Sequence, residues 1–382
     1  MTRCDVIIIG GGLIGACCAD ALTLQGLKVT LLERSFPASG SSRACDGLIL
    51  LWDKSPGPEM ELGKQSVALW KTLVPQLKQD IEFRKSGTVL INEDQAGLES
   101  SLEMIEAAAA EGLHAEPLDS AGLHKLEPGL ARDLAGGAYF PGDYQVDPRQ
   151  ATMAILEKAR SQGLNLQSGE EVLSLTPIEN GKGGWEVTTQ RATHNGDSVV
   201  CAAGVWSSAL LEKLGFEIPV RPRKGHILVV RSGLDALHHP VLEGGYEATV
   251  HAGGDESQIA LVAEVTTAGT MLVGSSRQFA GFDTRVSWDV LQALARRATR
   301  MIPGIAQAPL IRSYAGLRPW SPDHLPLIGP VDGFESLYLA TGHEGAGICL
   351  APITGELIAT WIMQSEAPEL AGSIHPGRFK QR

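Results

Sequence analysis

The chain has 382 residues, is 43% hydrophobic and 20% charged, and carries a net charge of −12. That length and apolar content support a large core and two domains. An acidic balance without any basic cluster speaks against nucleic acid and anionic membranes, and six cysteines without Cys-x-x-Cys spacing speak against an internal zinc or iron–sulfur site.

The first element is a β-branched run, Val6-Ile7-Ile8-Ile9, which suits a strand buried on both faces. It is too short for a membrane span. Gly10, Gly12 and Gly15 follow as G-x-G-x-x-G, and Ala16 to Gln25 reads as a closely packed helix stopped by Gly26. Val29 to Leu32 is a second strand ending at the acid Glu33. Strand, glycine turn, helix, strand and acid together form a dinucleotide-binding unit. One glycine makes the turn, one lets the backbone approach a pyrophosphate, and one lets helix and strand touch. The helix N-terminus, with Leu13 and Ile14, offers free N–H groups to the phosphates. Glu33 accepts from ribose hydroxyls and disfavours a 2′-phosphate, so NADP is set aside. The motif alone does not separate NAD from FAD.

Residues 38–47, "ASGSSRACDG", read as a loop. A helix is expected over 58–77, a strand over 87–92 and a helix over 98–112. Asp147 is a good N-cap with Pro148 at the first helical position, and that helix runs to Gln162 before Gly163. Strands are expected at 170–175, 184–190 and 197–201. The last ends in Ala202, Ala203 and Gly204 before another helix, a second close approach of backbone to a ligand. Residues 220–318 alternate strands with one helix over Thr284–Met301. A third unit follows: strand Leu337–Ala340, a glycine-rich turn, then an apolar helix. Three strand–glycine turn–helix units would converge on one elongated ligand, which fits FAD better than NAD.

The N-terminal "DVIIIGGGLIG…LLERS", the central "CAAGVWS" and the C-terminal "GLRPWSPDHLPLIGP…LATGHEGAGICLAPITGELIA" resemble the D-amino-acid oxidase/glycine oxidase superfamily of flavoproteins. Within it, "DKSPGPE" (residues 53–59) and "GHEGAGICLAPITG" are similar to opine oxidase catalytic subunits, relatives of hydrogen cyanide synthase and D-hydroxyproline dehydrogenase flavoprotein subunits. The resemblance implies a mixed α/β fold: a Rossmann-like FAD-binding domain (1–80, 144–215 and 319–382) with an inserted antiparallel-sheet substrate domain (81–143 and 216–318). It implies FAD, with Gly10, Gly12, Leu13, Ile14, Gly15, Glu33 and Arg34 at its ADP half. Ser41, Ser42, Arg43, Gly47, Val172, Ala203, Gly204, Trp206, Gly342, His343, Gly345, Ala346, Gly347, Ile348 and Arg318 are its further contacts. The chain departs at Ala44-Cys45-Asp46-Gly47, where many relatives have Asn-Ala-Gly.

The implied reaction oxidises a C–N bond beside a carboxylate, giving an imine that hydrolyses to a 2-keto acid and an amine. An arginine suits the carboxylate because its fork matches two oxygens. Arg318 is the first candidate, and Arg277 the second, for the extra carboxylate of an opine. Glu344 and His343 sit in the turn implied to face the flavin, as proton acceptor, amine-orienting group or brace. His226, Tyr139 and Tyr246 are pocket candidates, and Trp206 suits packing. An opine is the expected substrate. The alternatives are a D-hydroxyproline-type dehydrogenase, a self-sufficient glycine or D-amino-acid oxidase, and a non-catalytic FAD subunit. A second flavoprotein or iron–sulfur partner subunit and a cytoplasmic location, in keeping with unpaired thiols, complete the expectation.

Overall fold

A computed structural model describes residues 3–178, 183–231, 237–245, 257–364 and 369–379. The strands at Cys4–Ile9 and Val29–Glu33 pair in parallel, as two apolar strands joined by a helix must. Strand Thr193–Cys201 lies on the other side of Cys4–Ile9, and Leu337–Thr341 lies beyond it, both parallel. Asn165–Ser168 extends the opposite edge, and Leu327–Pro330 closes the far edge antiparallel to Leu337–Thr341. Antiparallel strands Val172–Pro177 and Trp185–Thr189 branch off Thr193–Cys201 and complete an eight-stranded sheet among the described residues.

Helices Leu13–Leu24, Pro148–Ser161 and Ala351–Gln364 cover one face of this sheet. The expected cap is present: Asp147 accepts from the N–H groups of Arg149 and Gln150. The close approach of helix to helix rests on a glycine. A Cβ on Gly355 would sit 2.5 Å from the carbonyl oxygen of Cys17.

The second sheet, also of eight strands among the described residues, runs Leu310–Trp320, Arg221–Arg231, Thr270–Arg277, Gln258–Val265, Val241–Glu243, Thr88–Asn92, Gly136–Phe140, Glu116–Asp119. Its pairings are antiparallel except one, Val241–Glu243 with Thr88–Asn92, which joins the two chain segments that build the sheet. Helix Trp288–Met301 seals one face through Val290, Leu291, Leu294, Ala298 and Met301. This helix starts later than the expected Thr284. Asp283 accepts the Arg285 N–H, and the Ser287 N–H donates to His226 Nε2, so the chain between them is held off helical geometry. Ser287 is the extended N-cap residue. The mixed α/β architecture agrees with the expected fold class. No helix among the described residues is long and apolar enough to cross a membrane.

Gly355→Ala tests the helix contact. Alanine is the better helix former by about 1 kcal/mol, so propensity alone expects stabilisation. The Cys17 carbonyl is backbone and cannot step aside, so a net loss of roughly 1–3 kcal/mol is expected. A urea midpoint equal to or above that of the parent would show that the helices separate freely.

Candidate active site

Three parallel strands end side by side, at Ile9, Cys201 and Thr341. Each is followed by a glycine-containing turn. Gly10 has φ +108°, and a Cβ there would lie 2.5 Å from the Ala202 carbonyl oxygen. Gly15 faces the Gly10 carbonyl so closely that no Cβ fits. The Ala202 N–H donates to Ile9 O at 2.9 Å, and Thr341 Oγ1 donates to Gly204 O at 2.9 Å. Open space is left above these turns, and it forms one cleft.

Gly10, Gly12, Leu13, Ile14, Glu33 and Arg34 line one end of the cleft, with Glu170, Glu171 and Val172 opposite. Gly12 caps helix Leu13–Leu24 without a side chain of its own, and Ser42 Oγ accepts the Leu13 N–H at 3.0 Å. Glu33 is buried, and its carboxylate accepts from the N–H groups of Gly11 (2.8 Å) and Ser35 (2.9 Å). Those bonds fix the carboxylate at the cleft wall and leave lone pairs for a ligand hydroxyl. Arg34 stacks on Trp206, its guanidinium carbon 3.7 Å from the ring centroid, and both line the cleft. The middle is walled by Ser41, Ser42, Ala44, Cys45 and Asp46, with Ala203 and Gly204. Ser41 Oγ donates to Leu317 O at 2.6 Å, tying this loop to the second sheet.

The other end meets the second sheet at Gly225, Ile227, Gly316, Leu317 and Arg318. Arg318 lies opposite Arg223 on the neighbouring strand. Its guanidinium donates to Ser276 O at 3.1 Å and has no carboxylate partner among the described residues. His343, Glu344, Gly345, Gly347 and Ile348 close this end. His343 is buried and neutral: burial pushes its pKa down to about 3, and its Nε2–H donates to Thr354 Oγ1 at 2.9 Å. Glu344, at φ +45°, is held by the buried Arg223 (2.7 Å) and by His324 Nδ1 (2.7 Å). Burial alone would raise the Glu344 pKa, but these two cations hold it below its ordinary value.

Some expected residues lie elsewhere. Arg277 is buried, 2% exposed, at the end of its strand and not among the residues that line the cleft. Arg43 points to solvent. Gly15, Gly47, Gly342 and Ala346 stand behind the lining and shape it from there. Gly47 is packed against the Val146 carbonyl and donates its N–H to Glu264 at 2.8 Å. His226 braces strands: its Nδ1–H donates to Ser276 Oγ at 2.9 Å, and burial lowers its pKa to about 4. Tyr139 packs edge-on against His239, outside the cleft. Tyr246 lies outside the described residues. Glu344, weighed as a proton acceptor, is occupied by two cations and serves as the brace of its turn. Sequence reasoning passed over Arg223, which shares strand register with Arg318, and gave no role to Asp46, although the departure at residues 44–47 marked it.

The arrangement fits a dinucleotide cofactor. Gly10 to Ile14 would hold the pyrophosphate and Glu33 the ribose, while the Gly342–Gly347 turn and the 41–46 loop would flank the redox end.

Glu344→Gln would remove the charge that the buried Arg223 and His324 both meet and cost about 3–5 kcal/mol of unfolding free energy. The effect carries a pH signature. Glu344 is depressed, so its contribution is present above the unfolded value of 4.5 and fades as pH falls through the folded value. His324 is raised, so its contribution is full below 6.5 and fades as pH rises through its folded value. The gap between parent and variant should therefore be widest between pH 4.5 and 6.5. A gap in urea midpoint that stays level as pH rises through and beyond 6.5 would remove His324 from the brace.

Comparison with known proteins agrees with the cofactor geometry. A model of the FAD-dependent oxidoreductase family DAO matches residues 5–361. Glycine oxidase of Pseudomonas aeruginosa is 31% identical over 364 residues, covering 93% of both chains. Hydrogen cyanide synthase subunit HcnC of Pseudomonas protegens is 28% identical over 405 residues, covering 95% of this chain and 93% of that one. The crystal structure of glycine oxidase from Geobacillus kaustophilus superposes with a TM-score of 0.90 at 27% identity, over 100% of both chains. With the three glycine turns, the acid at Glu33 and the match across nearly its whole length, the chain belongs to the DAO family of FAD-dependent oxidoreductases.

Proposed function

We propose that the protein oxidises the C–N bond of a small amino acid whose carboxylate is held by Arg318. The observation that carries this reading is the state of Arg318: half-buried in the cleft wall, hydrogen-bonded to one backbone carbonyl, and without a carboxylate among the described residues. A cation kept at a cleft without its counter-ion is poised for an anionic ligand. Gly225 leaves room for the Arg318 guanidinium itself, which a Cβ there would meet at 2.1 Å. Bound FAD supplies the electron sink for the C–H hydride. The protein holds the carbon in reach and keeps the end wall free of titrating imidazole, since His343 is neutral. The imine product would hydrolyse to a 2-keto acid and an amine or ammonia.

Glycine oxidase and the hydrogen cyanide synthase subunit are named for glycine and for cyanide formation, which supports a small amino acid. The opine reading asked for a second cation. Arg277 is not among the lining residues, Arg223 is bound by Glu344, and the other lining cations, Arg34 on Trp206 and Lys213 on Leu173 O, belong to the nucleotide end, so a substrate with one carboxylate is the better fit. The HcnC similarity also supports a second subunit that takes the electrons, a flavoprotein or an iron–sulfur protein. The six cysteines are unpaired and scattered, and among the described residues no cluster could hold a metal. A one-electron relay would then belong to the partner. Free thiols suit a reducing, cytoplasmic setting.

Arg318→Ala should lower the efficiency of anaerobic flavin reduction by about 30-fold or more while FAD stays bound, the scale for removing one member of a desolvated charge pair. Arg318→Lys should recover only part, because lysine lacks the planar fork. Unchanged reduction by a panel of glycine, sarcosine, D-proline and opines would move the anchor elsewhere. Stopped-flow reoxidation answers the partner question. Slow reaction with oxygen beside fast turnover with a dye supports an acceptor subunit, and peroxide formation as fast as dye turnover supports a self-sufficient oxidase.

A further inference from the structure

Five carboxylates line the cleft, and four of them are engaged. Glu33 accepts from the Gly11 and Ser35 N–H groups. Glu170 accepts from the Thr189 hydroxyl, Glu171 accepts from Gln190 Nε2 at 2.9 Å, and Glu344 is held by Arg223 and His324. The fifth, Asp46, has no hydrogen-bond or ion-pair partner for its side chain among the described residues.

Its position is fixed from both sides. Ala44 lies against strand Leu310–Trp320 at Gly316, where a Cβ would come within 2.6 Å of Ala44 Cβ. Arg318 is two residues farther along the same strand, on the same face. On the other side, the peptide that follows Asp46 is pinned by the Gly47 N–H donating to Glu264 Oε2 at 2.8 Å, and Glu264 belongs to strand Gln258–Val265. Asp46 and Arg318 thus line one cleft, carried on a loop and a strand that touch at Ala44 and Gly316, without forming an ion pair with each other. A carboxyl group and a guanidinium, neither with an ion-pair partner among the described residues, match the two ends of a zwitterion.

We propose that Asp46 receives the amine of the amino acid whose carboxylate binds Arg318, and takes the proton that the ammonium must lose. The proposal rests on the C–N oxidation reading above. An ammonium nitrogen has no free lone pair, so its α-hydrogen cannot leave as hydride. One N–H bond breaks, its electron pair stays on nitrogen, and an O–H bond forms on Asp46. The substrate is left as a neutral amine, positioned for oxidation. The titratable and charged groups around Asp46 are Arg318 and Tyr314 on strand Leu310–Trp320, Glu264 on strand Gln258–Val265, and the adjoining Cys45. Burial pushes the Tyr314 and Cys45 pKa values far up, which keeps both neutral, and raises Glu264 to about 8.

The test uses the FAD-loaded protein, with glycine, sarcosine and D-proline as amine-bearing probes and propionate as the amine-free control. Binding is read from the perturbation of flavin absorbance, and reduction from anaerobic rapid mixing across pH. Asp46→Asn should loosen the amine-bearing probes by about tenfold or more relative to propionate, the scale for losing a charge-assisted hydrogen bond. It should also remove the acidic limb of the reduction-rate profile, which Asp46→Glu should partly restore. Equal loosening of propionate, or loss of FAD with unchanged preference for amines, would overturn the proposal and assign Asp46 to the cofactor. If amines reduce the parent flavin and Asp46→Asn handles them as the parent does, the role of Asp46 alone fails. If no amine reduces the parent flavin, the C–N reading fails and takes this proposal with it.

Discussion

The absence of a side chain at Gly15 is the constraint on which the cleft depends. Because nothing separates it from the Gly10 carbonyl, helix Leu13–Leu24 can start directly against the end of the first strand. Gly10 in turn lets the Ala202 backbone come up beside it, and Thr341 reaches across to Gly204. The two glycine contacts are backbone on backbone and Thr341 adds a hydroxyl to the Gly204 carbonyl, so the turns leave a trough instead of a wall of side chains. A methyl group at either glycine would lift the helix or spread the strands, and the phosphate-facing N–H groups would move with them.

The second sheet completes the trough through hydrogen bonds to its turns. Ser41 bonds to Leu317 O, Gly47 bonds to Glu264, and the Glu344 N–H bonds to Pro319 O at 3.0 Å. These links join the nucleotide-binding turns to the strands that carry Arg318 and Glu264. The Arg223–Glu344–His324 brace adds an ionic link at the same seam. A buried ion pair contributes little net stability against its desolvation cost, but it fixes one geometry, because leaving either charge alone is expensive. At this seam the fixed geometry is that of a turn held at positive φ.

The fold was largely legible because its signals are local. β-branched runs, glycine turns and the Asp147–Pro148 cap each lie within a few residues, and those elements form where the pattern predicts. The start of helix Trp288–Met301 was misjudged because His226, far off in sequence, takes the Ser287 N–H. The site was legible only in part, for the same reason. Arg318 carried a motif. Arg277 looked equivalent, at the end of a strand in a glycine- and serine-rich stretch, yet is not among the residues that line the cleft. Arg223 and Glu344 pair across 121 positions, and no periodicity shows which arginine meets which carboxylate. Their pairing follows from strand register and from the turn after Thr341, both tertiary facts.

What remains unpaired in the cleft among the described residues then limits the chemistry. His343 and His226 are held neutral by burial, so neither carries a proton to give near neutral pH. Glu344 is ionised but occupied, and Glu33 is bound to backbone N–H groups. A site built for acyl or phosphoryl transfer would need an activated nucleophile beside a base. The thiol nearest the centre, Cys45, is pushed up by burial, away from the reactive thiolate. The groups proposed to meet a substrate are Arg318 and Asp46, carried on different elements. That inventory suits a reaction in which the cofactor does the bond-breaking and the protein contributes position, charge and exclusion of water.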